Sequence, residues 1–239
     1  MKVVTYNIHR GRSTRGRDVL PEIAAALAGR AADIVACQEV LGVVTDGCPN
    51  QAAWLGRALD MHAHFVANDQ TLHGPLGNAI LSRTPLPRCD HVDLSVRGFE
   101  RRAALGVVPA SGARIWNVHL GLTRRQRAEQ WRRMAERLRG DAGHAPAIVC
   151  GDFNDWDGAL RRAFDAAGLR SSLAEQPRRR RWTFPARRPW LALDRIYYRG
   201  VRLVDAEVLR GPPWPSLSDH LPVEARFVPG GRLPEERPS

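Results

Sequence analysis

A short apolar strand that ends in polar residues constrains this chain more than any other stretch. Ile148–Cys150 has the apolar side chains of a buried strand, and Gly151 lets the backbone turn sharply after it. Asp152 and Asn154 follow. If the extended backbone continues, their side chains lie on the same side, about 7 Å apart. Such a pair can hold a water molecule or a hard cation; the alternative is a strand followed by an Asx turn.

The first forty residues predict an α/β layer. Residues 2–8 are rich in β-forming side chains and predict a strand, residues 18–27 predict a helix, and residues 33–37 predict a second strand. This succession is the pattern of α/β proteins. We predict further helices over 51–59, 123–138 and 158–167, further strands over 63–66, 87–94, 103–108, 113–119, 193–198, 201–209 and 221–228, and loops over 72–77 and 211–215. We expect one domain over residues 1–229 and a disordered tail over residues 230–239.

The charge balance favours anionic partners. The 239 residues contain 36 Lys and Arg against 25 Asp and Glu, which gives a net charge of +11. Lys2 is the only lysine, so nearly all of the positive charge is arginine, and this reflects compositional bias as much as ligand binding. Nucleic acids, phospholipid surfaces and phosphorylated metabolites are the anionic partners that such a chain attracts.

The cysteine spacing argues against a zinc cluster. The four cysteines are widely spaced, with no C-x-x-C pair. Cys37 and Cys150 lie in apolar runs and are interpreted as buried free thiols. We find no signal-peptide pattern and no apolar run of the about 18 residues that a membrane span needs. We therefore expect a cytoplasmic protein with no transmembrane segment.

Polar residues interrupt the apolar strand patterns at a few places, and they recur at strand ends. Each has an ordinary structural explanation when taken alone, but Asp194 within an apolar strand is harder to dismiss, because a buried carboxylate is costly unless it is paired. Carboxylate and amide oxygens suit Mg²⁺ or Mn²⁺, and histidine can bind a phosphate or transfer a proton. We expect Asp194 to orient His220 and the set to hydrolyse a phosphate ester. The nine residues are Asn7, Glu39, Asn78, His119, Asp152, Asn154, Asp194, Asp219 and His220.

Seven short motifs follow one another along residues 3–224. They are Thr-Tyr-Asn-Ile-His, Gln-Glu-Val, Gly-Asn-Ala-Ile-Leu-Ser, Asn-Val-His-Leu, Gly-Asp-Phe-Asn-Asp, Leu-Asp-Arg-Ile and Ser-Asp-His. With these motifs in this order, the sequence resembles the endonuclease/exonuclease/phosphatase (DNase I-like) superfamily, and most closely its small uncharacterised bacterial branch. The resemblance implies a four-layer α/β sandwich, with two mixed β-sheets packed face to face and helices outside. It places the active site at the end where the strand ends converge.

The resemblance also implies a metal site and a catalytic aspartate. Glu39 is the principal ligand of a Mg²⁺ ion, for which Mn²⁺ can substitute. Asn7 and Asp219 complete the surroundings of the metal, partly through water. Asp152 orients or deprotonates the attacking water, with Asn154 beside it. The substrate contacts are assigned to Asn78, His9 and Arg195.

Two histidines receive different roles from the resemblance. His220, held by Asp194, contacts the scissile phosphate. His119 matches a histidine of the DNase I and sphingomyelinase branches, where a role near the leaving group is implied. The exonuclease III-type branch has an amide at this position, which argues against an abasic-site repair enzyme.

Three functions follow from these expectations. The first is a Mg²⁺-dependent phosphodiesterase or nuclease that uses in-line attack of water, with the basic run Arg178–Arg181 near a DNA or RNA backbone. The alternative is hydrolysis of a phospholipid or another small phosphodiester. Trp182, Trp190 and Trp214 can stack on bases, enter a lipid interface or anchor loops, and do not decide between the two. A catalytically silent binding module is the third, and no obligate protein partner is inferred.

Overall fold

The computed structural model describes residues 1–43, 45–109, 112–140 and 145–230. The predicted tail therefore lies outside the described residues except for Gly230. The helices are α1 (Leu20–Ala28), α2 (Gln51–Leu59), α3 (Arg124–Gly140), α4 (Arg161–Ala166) and α5 (Trp214–Leu217). The strands are β1 (Lys2–Asn7), β2 (Ile34–Leu41), β3 (His62–Thr71), β4 (Gly74–Ser82), β5 (Cys89–Asp93), β6 (Ala103–Val107), β7 (Arg114–His119), β8 (Ala147–Asp152), β9 (Arg170–Ser171), β10 (Asp194–Arg199), β11 (Val201–Val208) and β12 (Val223–Pro229).

These strands form two mixed sheets of six strands each. The first sheet has the order β11-β12-β1-β2-β4-β3, and the second has the order β5-β6-β7-β8-β10-β9. In each sheet one central pair is parallel, β1 with β2 and β7 with β8, and the pairs that flank it are antiparallel. The two sheets pack against each other, and the helices complete the sandwich, which confirms the predicted fold.

Two hydrophobic cores stabilise the layers. The larger core lies between the sheets and continues under α1 and α2; it includes Ile34, Ile80 and Ile148. The smaller core packs α3 and α4 on the outer face of the second sheet. There the ring of Phe164 stacks on Tyr197 with centroids 4.0 Å apart. Burial of these apolar side chains is the main source of stability for a chain of this size.

A buried polar bridge connects the two sheets through Asn117 of β7. Its amide nitrogen donates to the carbonyl oxygens of Cys37 and Ala79, each at 2.8 Å. Its side-chain oxygen accepts a hydrogen bond from Gln38 at 2.7 Å. Gln38 also donates to the hydroxyl of Thr5 at 3.0 Å. Because an unpaired polar group in a core is costly, this bridge favours one alignment of the sheets.

Three local predictions are corrected by the structure. The loop predicted over 72–77 is wrong, because β3 continues to Thr71 and pairs with β4 from Gly74 onward in a hairpin. The loop predicted over 211–215 contains the first turn of α5. The two-residue strand β9 was not predicted, because only its pairing with β10 defines it. Within the described ranges, no helix is long and apolar enough to cross a membrane.

Candidate active site

Most of the polar residues singled out from the sequence converge where the central parallel strands end. In the first sheet, Asn7 lies beside Gln38, and Glu39 follows. In the second sheet, His119 lies beside Asp152. Because the sheets pack face to face, the ends of all four strands meet at one edge of the sandwich. Crevices at the carboxyl ends of parallel strands are the usual ligand sites of α/β folds.

A β-bulge in β2 directs Glu39 toward this edge. The pairing of β2 with β4 shifts between Cys37 and Val40, so that Gln38 and Glu39 both lie opposite Asn78. The backbone of Glu39 is left-handed, with a φ of 53°. Gln38 points between the sheets, and strict alternation would turn the next side chain away from the second sheet. The bulge overrides that alternation.

Three groups converge on a single oxygen of Asp152, which is almost fully buried. The Oδ2 atom accepts a hydrogen bond from the amide of Asn7 at 3.2 Å. It also lies 3.6 Å from Nε2 of His119 and 3.7 Å from Nε2 of His220. The same amide of Asn7 donates to Oε1 of Glu39 at 3.2 Å. The carboxylate that precedes the turn after β8 is therefore the centre of the cluster.

Asp194 fixes the orientation of His220 by a hydrogen bond. Nδ1 of His220 lies 2.8 Å from Oδ2 of Asp194, and both side chains are buried. Asp194 is the register partner of Asp152 in the neighbouring strand, which places one carboxylate on each side of the imidazole. The hydroxyl of Thr183 accepts hydrogen bonds from the backbone N–H groups of Leu193 and Asp194, each at 3.1 Å, and fixes the start of β10.

The electrostatics of the cluster separate the two histidines. Burial lowers the pKa of His220, but the charges of Asp194 and Asp152 outweigh burial and raise it to about 10. Burial lowers the pKa of His119 well below its usual value, and the nearby charges of Arg102 and His220 add to the effect. At neutral pH the first ring is a cation and the second is neutral.

The pKa of Asp152 is raised to about 6. Burial raises it, the charge of His220 opposes this change, and the charge of Asp194 adds to it. The hydrogen bonds from the backbone N–H of Asn154 and the amide of Asn7 favour the ionised form. A carboxylate of this pKa is mostly ionised at neutral pH and still accepts a proton readily, which suits a general base.

Asn154 does not continue the line of strand β8. Its backbone is left-handed, with a φ of 47°, and its N–H donates to Oδ1 of Asp152 at 2.9 Å. Its side-chain amide donates to the carbonyl of Leu120 at 2.9 Å. The expectation of an extended backbone that places Asp152 and Asn154 on the same side is therefore wrong, and the alternative Asx turn is present, because the turn satisfies backbone and side-chain groups locally. Asn154 thus holds the carboxylate of Asp152 through its backbone N–H.

Asp219 lies at the more open side of the cluster. Its Oδ1 atom is 3.9 Å from Nδ1 of His9, whose backbone N–H donates to Oδ1 of Asn7 at 3.1 Å. Nε of Arg10 lies 3.7 Å from Oε2 of Glu39. His9 and Arg10, which lie next to these carboxylates, also line a cavity of about 440 Å³. Arg12 lines the same cavity and adds to its positive charge.

Two residues assigned to substrate contacts form hydrogen bonds with residues outside the cluster. The amide of Asn78 donates to the carbonyl of Ala103 at 2.8 Å and bridges the sheets. The guanidinium of Arg195 donates to the carboxylate and the carbonyl of Asp155, at 2.9 and 2.6 Å, and also to the hydroxyl of Tyr197. Arg195 thus faces away from Asp194, on the opposite face of β10. Neither side chain joins the cluster through these hydrogen bonds.

Four supporting residues were missed by sequence reasoning. Ser218 donates to the carbonyl of Asn7 at 2.8 Å and accepts from the N–H of His220 at 3.2 Å, which ties β1 to the segment before β12. A serine next to an Asp-His pair was a usable signal. Arg10 directly follows His9 in a basic loop, which was a further signal, whereas Thr183 and Arg102 carried none, because long-range packing brings them to the site.

The oxygen-rich side of the cluster fits a hard divalent cation. Glu39, Asn7 and Asp219 supply carboxylate and amide oxygens, and the two carboxylates remain partly exposed, which leaves room for the waters that Mg²⁺ retains. Ligand atoms of Asp152, Asp194 and His220 also lie within 4.8 Å of one another. In that second set, Nδ1 of His220 and Oδ2 of Asp194 already bond each other at 2.8 Å, so these two atoms serve to orient the imidazole.

Comparisons with known proteins identify the family of the chain. Residues 4–220 match the profile of the Endonuclease/Exonuclease/phosphatase family. The chain is 34% identical over 241 residues to the uncharacterised protein YbhP of Escherichia coli strain K12, and the match covers 95% of each chain. This similarity to an uncharacterised bacterial protein agrees with the branch that the motifs predict.

Solved structures share the fold. The endonuclease/exonuclease/phosphatase from Beutenbergia cavernae superposes with a TM-score of 0.81 and 21% identity, over 97% of this chain and 72% of that chain. D. rerio TDP2 complexed with single strand DNA product superposes with a TM-score of 0.69 and 16% identity, over 95% of this chain and 98% of that chain. Since the family profile spans most of the sequence and the architecture is the same, the chain belongs to the endonuclease/exonuclease/phosphatase family.

Proposed function

We propose that this protein is a metal-dependent phosphoesterase that hydrolyses a phosphodiester by in-line attack of water. The convergence of Asn7, His119 and His220 on Oδ2 of Asp152 carries the proposal. Such a cluster combines a proton acceptor with a cation in a nearly dry pocket, where electrostatic interactions are strong. Family membership supports the proposal, because members of the family are phosphoester hydrolases that generally use a divalent metal.

Glu39, Asn7 and Asp219 are the residues that we assign to a Mg²⁺ ion, with Mn²⁺ as a substitute. When bound, the ion supplies charge neutralisation at the phosphate and at the leaving oxygen. The amide of Asn7 already links Glu39 to Asp152 by two hydrogen bonds of 3.2 Å. This link fixes the position of the proposed metal ligand Glu39 relative to the proposed base Asp152.

The remaining residues divide the work of the reaction. Asp152 accepts the proton of the attacking water, which its pKa of about 6 allows. His220 binds a phosphoryl oxygen as a cation, and Asp194 keeps its Nε2 directed into the site. His119 is neutral and donates a hydrogen bond toward the leaving oxygen. Each role uses the protonation state that the surroundings impose.

Nucleic acid is the substrate class that we propose. The net charge of +11 favours a polyanion. Arg10 and His9, next to the metal-side carboxylates, line a cavity that a phosphate backbone can enter. A member of the same fold, D. rerio TDP2, is known in complex with single strand DNA product. Phospholipids and small phosphodiesters belong in the same substrate panel as competing outcomes.

The first test is hydrolysis by wild type and Asp152→Asn. We expect metal-dependent cleavage of single-stranded DNA or RNA, and a loss of several powers of ten in kcat in the variant, because the proton acceptor is gone while the hydrogen-bonding shape is kept. The panel includes double-stranded DNA, bis-p-nitrophenyl phosphate, a phosphomonoester and phospholipid liposomes, each with Mg²⁺, Mn²⁺ or EDTA.

Asp205→Asn is the matched control. Asp205 is an exposed carboxylate of β11 that pairs with Arg226 at 2.8 Å, so this variant keeps full activity. An active Asp152→Asn protein would remove Asp152 from the proton-transfer role. Cleavage of liposomes alone would replace nucleic acid by phospholipid as the substrate, and an inert wild type over the whole panel would overturn the proposed function.

Glu39→Gln tests the metal assignment. We expect the Mg²⁺ concentration needed for half-maximal activity to rise by roughly tenfold or more, because an amide oxygen is a weaker ligand for a hard cation than a carboxylate. Isothermal titration of Mn²⁺ into the protein gives the same comparison without turnover. An unchanged Mn²⁺ affinity in the variant would show that Glu39 is not a ligand.

A further inference from the structure

A second cavity, of about 650 Å³, lies outside the catalytic cluster on the outer face of the second sheet. Its walls come from the turn after β8, the start of α4, strand β9 and the segment that leads into β10. Its lining includes three tryptophans and three exposed arginines. They are Trp156, Trp182, Trp190, Arg161, Arg170 and Arg178.

The tryptophans are placed against the usual preference of large aromatic side chains for burial. Trp156 and Trp190 are each 61% exposed, although they are among the largest apolar side chains of the chain. Both line the same cavity, and Trp182 joins them as a half-buried neighbour. Exposed aromatic faces gathered in one concave site are typical of a surface that binds a partner ring.

The arginines of the cavity are available to an anion. Arg161, Arg170 and Arg178 make no side-chain hydrogen bond or ion pair with any other residue in the described part of the chain, and all three are exposed. By contrast, Arg181 is fixed by the carbonyls of Gln176 and Ala174. The free guanidinium groups are thus separate from those that stabilise the fold.

The acids of the cavity do not cancel this charge. Asp157 accepts a hydrogen bond from the buried Arg127 at 2.8 Å, and its charge is therefore used outside the cavity. Asp165 is the other acidic residue of the lining. Against it stand the three unpaired arginines. The cavity combines a net positive charge with aromatic faces.

We propose that this cavity binds a nucleotide unit, with its base stacked on the tryptophans and its phosphate on the arginines. A guanidinium binds phosphate by paired hydrogen bonds, and an aromatic face accepts any base. The volume lies within the range of small-molecule sites. The lining also includes apolar side chains such as Leu173 and Leu191, and anionic phospholipid vesicles are therefore a competing ligand in the test.

The cavity lies next to the catalytic cluster along the chain. Trp156 follows Asn154 by two residues, so their Cα atoms are at most about 7 Å apart. Arg195, at the rim of the cavity, follows Asp194 and faces the opposite side of β10. The cavity and the catalytic cluster therefore share the turn that follows β8. The identification of the bound nucleotide as part of the substrate rests on the proposed function; binding itself does not.

A binding measurement in EDTA, which prevents metal-dependent hydrolysis, tests nucleotide binding separately from the proposed function. The probe is a fluorescein-labelled single-stranded DNA of eight nucleotides, followed by fluorescence anisotropy. We expect Trp156→Ala and Trp190→Ala each to raise Kd by roughly tenfold, the loss expected for one stacked base. We expect Arg178→Gln to lower the slope of log Kd against log salt by about 0.7. The controls Phe99→Ala and Arg202→Gln, an exposed aromatic and an exposed arginine outside the cavity, leave Kd unchanged.

Competitors define the ligand. Displacement by AMP, weakened by Trp190→Ala, supports a site for a free nucleotide, and binding of the strand without competition by AMP supports a site for a flanking nucleotide. Ribose 5-phosphate competing as well as AMP, Kd values in both tryptophan variants equal to that of the wild type, or binding of anionic phospholipid vesicles alone would overturn the proposal. Hydrolysis with an unaffected Kd rejects the cavity and keeps the proposed function. Tryptophan-dependent binding by a protein without hydrolytic activity supports the cavity as a nucleotide site and rejects the proposed function.

Discussion

His220 is held as a cation by its neighbours. Burial favours the neutral ring, but the carboxylates of Asp194 and Asp152, at 2.8 and 3.7 Å, raise the pKa of His220 from 6.5 to about 10. The folded state therefore binds this proton more tightly than the unfolded state. The resulting stabilisation is complete below about pH 6.5 and is lost as the pH rises through about 10.

We expect His220→Gln to lower the free energy of unfolding more at pH 7 than at pH 10. The difference between the two costs should exceed about 1.4 kcal/mol, the free energy of one pKa unit. Urea unfolding in EDTA at both pH values measures it. His62→Gln, at an exposed histidine of β3, is the control and shows no such difference. Equal costs at pH 7 and pH 10 would mean that the folded ring is neutral.

The sequence anticipated some residues of the site and misplaced others for identifiable reasons. A carboxylate within an apolar strand pointed to a buried partner, and Asp194 indeed lies against His220. Strand alternation alone places Arg195 on the face opposite Asp194, so its assignment to the cluster ignored a usable signal. Its partner Asp155 lies in a turn whose position depends on packing. The catalytic roles stay predictions.

At the scale of single elements, strand β2 shows what a pattern cannot reveal. Its sequence predicts an ordinary strand, and the bulge at Gln38 and Glu39 exists because β4 offers only Asn78 opposite them. That pairing joins strands about forty residues apart along the chain. The direction of Glu39, and with it the proposed metal site, follows from this long-range register.

The bridge between the sheets belongs to the same scale. We expect Asn117→Ala to lower the free energy of unfolding by roughly 2–3 kcal/mol, because it removes one buried hydrogen bond from Gln38 and two buried hydrogen bonds to main-chain carbonyls. Asn68→Ala is the control, since it removes one exposed hydrogen bond to Arg101, and it should cost under about 1 kcal/mol. Denaturant titrations of both variants give the comparison, and equal costs would show that the bridge adds no specific stability.

At the scale of the molecule, the core between the sheets contains side chains from both of them, such as Ile34 of β2 and Ile148 of β8. We propose that residues 1–229 form one domain, and we expect a single cooperative unfolding transition. Far-ultraviolet and near-ultraviolet circular dichroism should give coincident denaturation curves. Two separated transitions would mean that the sheets unfold independently.

The layered α/β architecture could be predicted because apolar periodicity and strand-end motifs recur along the whole sequence. The β3–β4 hairpin could not, because Gly74 and Pro75 look like loop residues until a partner strand pairs with them. The cavity that contains the two exposed tryptophans, Trp156 and Trp190, could not be predicted either. Its walls come from four segments between residues 156 and 197, and each of them looks like an ordinary loop or edge when taken alone.

Strand β1 pairs on one side with β12, so Lys2 lies beside Arg226 and Thr5 beside Val223. During translation, one edge of β1 therefore has no partner strand until residues 223–229 leave the ribosome. Asp219 and His220 emerge in the same late stretch. A nascent chain that stops before residue 219 lacks both the completed first sheet and the cation at His220, so the sheet and the proposed reactive centre are completed by the same segment.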